Sequence, residues 1–290
     1  MLRKALTVAA FCLAAGCSDQ GGNGRQPGAQ QDPYIPRPVV ETTHYRIHSS
    51  ATDTQTRAVG ESVESLYAAY AKVFGQQRQV QRLELVLYKS QAEFKANNRS
   101  AAWAEAYYRE PRSYAYPGNG DNPHHWMLHE ATHQLLRQAS GFKLRRWVNE
   151  GIASYFGAGT LRDGMLDPMV ADAAAYPIWW LASLELSGDM QADIDRGVVI
   201  PIEQIVEDTG PPISQDVNGY YLHYWSLTHY LLDGDAGKHR DAFLALVRQG
   251  GGPVEFRRLL GPYAQIQRGW YEHLRALAMK QRQATKNGSE

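Results

Sequence analysis

The sequence predicts an α+β chain, with a small N-terminal sheet and its helices followed by a half that is mostly helical. Three observations carry that reading. Two segments of the first half alternate apolar and polar residues with the period of a strand, a run between them recurs with the period of a helix, and nearly every apolar segment beyond Phe156 follows the helical period. The chain has 290 residues with 30 basic and 30 acidic side chains, so no net charge draws it toward nucleic acid.

In chain order, Met1-Leu2-Arg3-Lys4 leads into an apolar stretch over residues 5–15. This has the charge and length of a secretory leader and is too short to span a bilayer as a helix. It closes on Leu13-Ala14-Ala15-Gly16-Cys17, which resembles the bacterial lipoprotein cleavage box. That resemblance implies removal of residues 1–16 as a signal peptide, a lipid on Cys17 and attachment to a membrane of the bacterial cell envelope. Ser18 resembles the outer-membrane sorting class, which puts the protein on the periplasmic face. An ordinary signal peptide with a chance cysteine is the alternative. Cys12 would leave with the leader, so the mature chain has no pair of cysteines for a disulfide. Residues 17–40 are rich in Gly, Gln, Pro and Asn, a composition that cannot repay its ordering entropy and reads as a flexible tether. Residues 41–290 are long enough for one domain, divided into a sheet-bearing part at 41–160 and a helical half at 161–290.

Residues 43–48 alternate as a strand, and 83–88 do so more clearly. Between them Val59, Val63, Leu66, Tyr70 and Val73 share one face of a helix. Ser90 caps a short helix that runs through Phe94. An aromatic strand at 112–116 ends in the turn cluster Pro117-Gly118-Asn119-Gly120. Helices are expected over 126–136 and 144–156, and beyond them over 169–186, 220–232, 236–247, 254–260 and 263–284.

The helix at 126–136 carries His129-Glu130-Ala131-Thr132-His133. Residues four apart are separated by about 40° around a helix axis, so the two imidazoles stack on one face as a metal clamp. Glu130 lies beside them, placed to deprotonate a metal-bound water without being a ligand itself. A catalytic metal of this kind keeps three protein ligands and one open position. The third is Glu150, 17 positions beyond His133, near the start of the next helix in Trp147-Val148-Asn149-Glu150-Gly151-Ile152-Ala153-Ser154-Tyr155. Ser140-Gly141 gives the chain a place to turn back, so that the two helices pack antiparallel.

These motifs resemble the gluzincin metallopeptidases and, more closely, a bacterial family of peptidase MA-like domains, in which a strand-helix-strand opening precedes H-E-x-x-H-Q-L, R-W-x-x-E-G-x-A-x-Y-F and a tyrosine-led helix. The matching pieces are residues 129–135, 146–156 and 221–232, within a likeness that covers roughly residues 43–278. The resemblance implies a zincin-like fold, a Zn²⁺ cofactor on His129, His133 and Glu150, a peptide or protein substrate, and Glu130 as the group that takes the proton of the zinc-bound water. It also implies that Tyr221 donates to the developing oxyanion, with Tyr220 and Tyr224 as rivals on the same helix. Two positions depart from the pattern: where relatives carry an acid behind the zinc ligands, this chain has Ser154 and Gly157. A non-catalytic envelope lipoprotein that keeps the fold for binding or scaffolding is the alternative to an enzyme. The choice between aminopeptidase and endopeptidase stays open, as does the oligomeric state.

Other residues read more plainly. His124 and His125 are expected at the rim of the site, and His223 and His229 on the polar face of the Tyr221 helix. The strand around Tyr114 and Tyr116 is expected to be the sheet edge that pairs with an extended peptide.

Overall fold

The structure, a computed structural model, describes residues 33–75, 81–118 and 122–287. The leader, Cys17 and most of the tether lie outside the described residues.

Strand β1 (Val39–Glu41) pairs antiparallel with β2 (Tyr45–Ser49). Helix α1 (Asp53–Phe74) follows; Thr52 accepts the Gln55 N–H while the Gln55 side chain accepts the Thr52 N–H, a reciprocal cap that fixes where the helix begins. Its Val59, Val63, Leu66 and Tyr70 are buried in one core with Tyr45, Ile47, Leu85 and Leu87 from the strands. Strand β3 (Leu83–Leu87) lies parallel beside β2, and the Ser90 side chain caps α2 (Gln91–Asn97). Strands β4 (Tyr107–Arg109) and β5 (Arg112–Ala115) complete a sheet of order β1-β2-β3-β5-β4, with β3 and β5 parallel and β5 and β4 antiparallel.

The Tyr114 strand is therefore not an edge. Residues 107–109 fold back along it and take the edge position, a strand too short and too uniformly polar-aromatic to show an alternating pattern.

Helix α3 (His125–Gln134) runs on into a single π-helical turn (Leu135–Ala139), and α4 (Arg146–Gly157) returns beside it. A second correction concerns the chain after α4: a hairpin of β6 (Gly159–Arg162) and β7 (Met165–Ala171) occupies the start of the segment expected to be helical over 169–186, and only a 3₁₀ turn at Ile178–Ser183 is helical there. The rest is helical: α5 (Met190–Asp195), α6 (Ile202–Glu207), α7 (Val217–Asp233), α8 (Arg240–Arg248), α9 (Pro253–Leu260) and α10 (Tyr263–Asn287). Among the described residues, no helix is long and apolar enough to cross a membrane.

The layers run from the sheet outward. Helix α3 packs on β5 and α1, α4 packs between α3 and α7, and α10 covers α7. Two glycines set the spacing of the inner layers. A Cβ on Gly157 would stand 3.0 Å from the Cβ of His129 and 3.2 Å from the carbonyl oxygen of His125. One on Gly151 would strike Thr228 and come within 2.7 Å of the Tyr224 carbonyl. Without side chains there, α4 lies close to α3 on one side and to α7 on the other.

Because α7 sits in the middle of these layers, every residue from Tyr220 to Leu232 is buried and the helix has no polar face. His223 and His229 are consequently interior. His223 accepts the Ile200 N–H at Nε2 (3.2 Å), which leaves Nδ1 to donate to the Gly219 carbonyl (2.5 Å).

Candidate metal centre

On α3, His129 and His133 turn their Nε2 atoms toward each other, 3.2 Å apart. Oε2 of Glu150, carried on α4, lies 3.4 Å from the first and 3.5 Å from the second. All three side chains are buried, at 3%, 4% and 3% exposure, so water does not compensate their polar atoms. Glu150 Oε2 makes no hydrogen bond in this arrangement. A buried carboxylate oxygen and two ring nitrogens converging on one point form a group that could hold a metal ion, and among the described residues no other group of this kind occurs.

The electrostatics fit. Against the penalty of burial, Glu150 raises His133 to about 9, while the two imidazoles hold the Glu150 carboxyl well below the usual carboxylate range. His133 and Glu150 thus form a charged pair whose proton a cation can displace.

Several contacts aim the ligands. The Gln134 amide, one turn after Glu130 on the same face, donates to the carbonyls of Glu84 (3.1 Å) and Pro111 (2.7 Å), and the Ser113 hydroxyl donates to the Glu130 carbonyl (3.0 Å). These bonds tie α3 to the sheet. The start of α4 is held by Trp147 Nε1, which donates to the Gly251 carbonyl (3.1 Å), and its end by Tyr155, whose hydroxyl donates to Asp233 (2.6 Å). Sequence reading missed Gln134 and Ser113; the signal available was a polar amide at a helix position facing the core.

Glu130 is 4% exposed, and the backbone N–H of Tyr108 in β4 faces its carboxylate. Burial raises its pKa, the repulsion of Glu150 adds to this, and the two imidazoles pull the other way. It stands against the metal group without belonging to it.

Of the three candidate tyrosines, Tyr221 is the one that lines the same cleft and hydrogen-bonds Glu150. Burial, with the Glu150 charge beside it, keeps its hydroxyl protonated far above the ordinary tyrosine value. Tyr220 instead donates to the Pro211 carbonyl (2.5 Å), and Tyr224 packs between the other two rings, 5.7 and 6.0 Å from them. His125 is buried rather than at a rim: its Nδ1 lies 2.7 Å from the Asn122 carbonyl, its ring packs on Trp126 and Trp179, and it is outside the metal group.

The two departures have physical counterparts. Gly157 cannot carry an acid, because any side chain there meets the backbone of α3 at His129. Ser154 is fully buried and its hydroxyl has no hydrogen-bond partner, so the position that bears an acid in the metallopeptidases this chain resembles supplies no charge to the metal group here.

His129, Glu130, His133, Glu150 and Tyr221 form the inner wall of a cleft of about 930 Å³ between β4, the stretch before α4 and residues 249–255, with Trp103, Tyr107, Tyr108 and Phe142 as its aromatic lining. Residues 126–252 match the family model described as "Protein of unknown function (DUF1570)", a span that holds the whole metal group and Tyr221 and leaves out the sheet. No curated protein is similar enough to match.

Proposed function

We propose that the chain is a zinc-dependent peptide hydrolase of the gluzincin type, acting in the bacterial cell envelope. The observation that carries this reading is the size of the ligand triangle. A tetrahedral ion with bonds of about 2.0–2.1 Å holds its ligand atoms about 3.3–3.4 Å apart. The three sides here measure 3.2, 3.4 and 3.5 Å. Two imidazoles and a carboxylate suit zinc, and three protein ligands leave a fourth position for water or substrate.

Zinc, when bound, acidifies its water and polarises a carbonyl. The remaining work falls to side chains. The Glu130 carboxylate takes a proton from the attacking water and returns it to the leaving amine nitrogen, and its raised pKa suits a group that must do both. Tyr221, kept protonated by burial, donates its O–H to the carbonyl oxygen as that oxygen gains charge. Strand β4 is the sheet edge beside Glu130. As the outermost strand beside β5, β4 has one side free of sheet partners, which suits an extended peptide lying along it.

The test is zinc content together with cleavage of a proteome-derived peptide pool by the purified protein. Wild type is expected to hold one zinc and to cleave a subset of peptides, and Glu130→Gln to keep the zinc while turnover falls about 10²–10⁴-fold. Failure to bind zinc after refolding with the metal would overturn the reading. Zinc without cleavage would favour a non-catalytic envelope lipoprotein. The lipid anchor has its own test: Cys17→Ser should move the protein from the detergent phase to the aqueous phase, and an unchanged partition would remove the anchor.

A further inference from the structure

The mouth of the cleft is charged differently from its buried wall. Arg109 at the end of β4, Arg137 in the π-helical turn, and Lys143 and Arg145 just before α4 all line the cleft and are all exposed. Four acidic side chains share the lining. Glu130 and Glu150 are buried among the imidazoles, and Glu110 pairs with Arg137 at 3.4 Å. Glu255 stands in the first turn of α9 with its carboxylate against Gly252, where the positive end of the helix favours it. Arg109, Lys143 and Arg145 form no ion pair with a carboxylate among the described residues. In a chain with as many acidic as basic residues, this local excess of unpaired cations at the opening is a specific feature.

Arginine presents its donors as a planar fork that matches a carboxylate, and cations gathered at the mouth of a low-dielectric cleft raise the local concentration of anionic ligands. Arg109 continues the strand whose Tyr108 faces Glu130, while Lys143 and Arg145 approach from the α4 side. We infer that the cleft selects peptides bearing a carboxylate close to the bond to be cut, bound between Arg109 on β4 and the Lys143–Arg145 segment. The inference rests on the hydrolase reading for cleavage, though not for binding. The carboxylate could be an Asp or Glu side chain or a free C-terminus, and the experiment separates the two.

One peptide is made with Glu, Gln or Lys in turn at each position, once with both ends blocked and once with a free C-terminus. Turnover is measured with wild type and binding with zinc-loaded Glu130→Gln, by fluorescence anisotropy. The expected ranking is Glu over Gln over Lys, with about a tenfold difference in kcat/KM and in Kd between the extremes and a preference that shrinks as salt is raised. A preference seen only with the free C-terminus assigns the site to the terminal carboxylate. Arg109→Glu combined with Arg145→Glu should reverse the ranking, and the milder Arg109→Gln and Arg145→Gln should each flatten it, with zinc stoichiometry checking that each variant is folded. Equal binding across the series, or a ranking unaltered by the substitutions, overturns the inference. Cleavage without acidic preference removes it alone, whereas selective binding of acidic peptides with no cleavage by wild type removes the hydrolase reading and leaves the inference standing.

Discussion

Two pairs of histidines in this chain bring ring nitrogens to contact distance, one at the metal group and one between α7 and α10. At the first, Nε2 of His129 and Nε2 of His133 are 3.2 Å apart with the Glu150 carboxylate facing both. At the second, Nδ1 of His229 lies 2.9 Å from Nε2 of His273, and Nε2 of His229 lies 3.2 Å from the Met169 carbonyl. A carbonyl only accepts, so His229 donates from Nε2 and accepts at Nδ1, which leaves neither nitrogen with a free lone pair for a metal. The charge states diverge accordingly. Burial lowers His229 and lowers His273 to about 4, whereas His133, buried like His229, is raised to about 9 because a carboxylate is beside it. Proximity of two imidazoles does not make a metal site; a third converging ligand with uncommitted lone pairs does.

The largest expected effect separates the two pairs outright. Glu150→Ala should weaken zinc binding by well over about 100-fold, more than the loss of a supporting contact behind a ligand, while His273→Ala should leave it within about twofold; competition with a chromogenic chelator measures both. Smaller, and confined to the scaffold of the first pair, is Gly157→Ala. The new methyl meets His129 and the α3 backbone, so the unfolding midpoint should drop by the equivalent of about 1–3 kcal/mol. A value near zero would mean that α3 and α4 part easily.

The pairs should also respond to pH, both gaining as pH rises but over different ranges. His133 must lose its proton to bind metal, so apparent zinc affinity should climb by up to about tenfold per pH unit below 9, with a proton released on binding. The His229–His273 pair is neutral when folded, and in the unfolded chain it protonates near 6.5. Its contribution is therefore complete above about 6.5 and lost as pH falls toward 4. The loss is on the order of 1 kcal/mol because His273 is part-exposed, and it should shrink in His273→Phe, where the buried His229 alone still titrates.

The metal group was legible because its spacing is local: four residues within α3, and a glutamate on the next helix beyond a short turn. The Ser90 cap and the α1 face could be read for the same reason. The hairpin of β6 and β7 went unread before residue 169, although Asp163-Gly164 is a strong two-residue turn signal; both residues have positive φ, 49° and 74°, which matches the twist of paired strands. Met169 and Val170, exposed on that hairpin, imitated the start of the helix expected over 169–186. The edge position of β4 and the burial of His223 and His229 depend on which elements lie beside them, and no residue within those segments encodes that. The likeness pointed to Tyr221 with Tyr220 and Tyr224 as rivals, and only the packing of α7 against α4 shows that Tyr221 alone of the three lines the cleft.

The most direct measurement is anomalous diffraction at the zinc edge from crystals of the purified protein soaked in zinc. A single strong peak coordinated by Nε2 of His129, Nε2 of His133 and Oε2 of Glu150, absent in Glu150→Ala, is the expected result. A peak at His229 and His273, or none at the first pair under saturating zinc, would contradict the account.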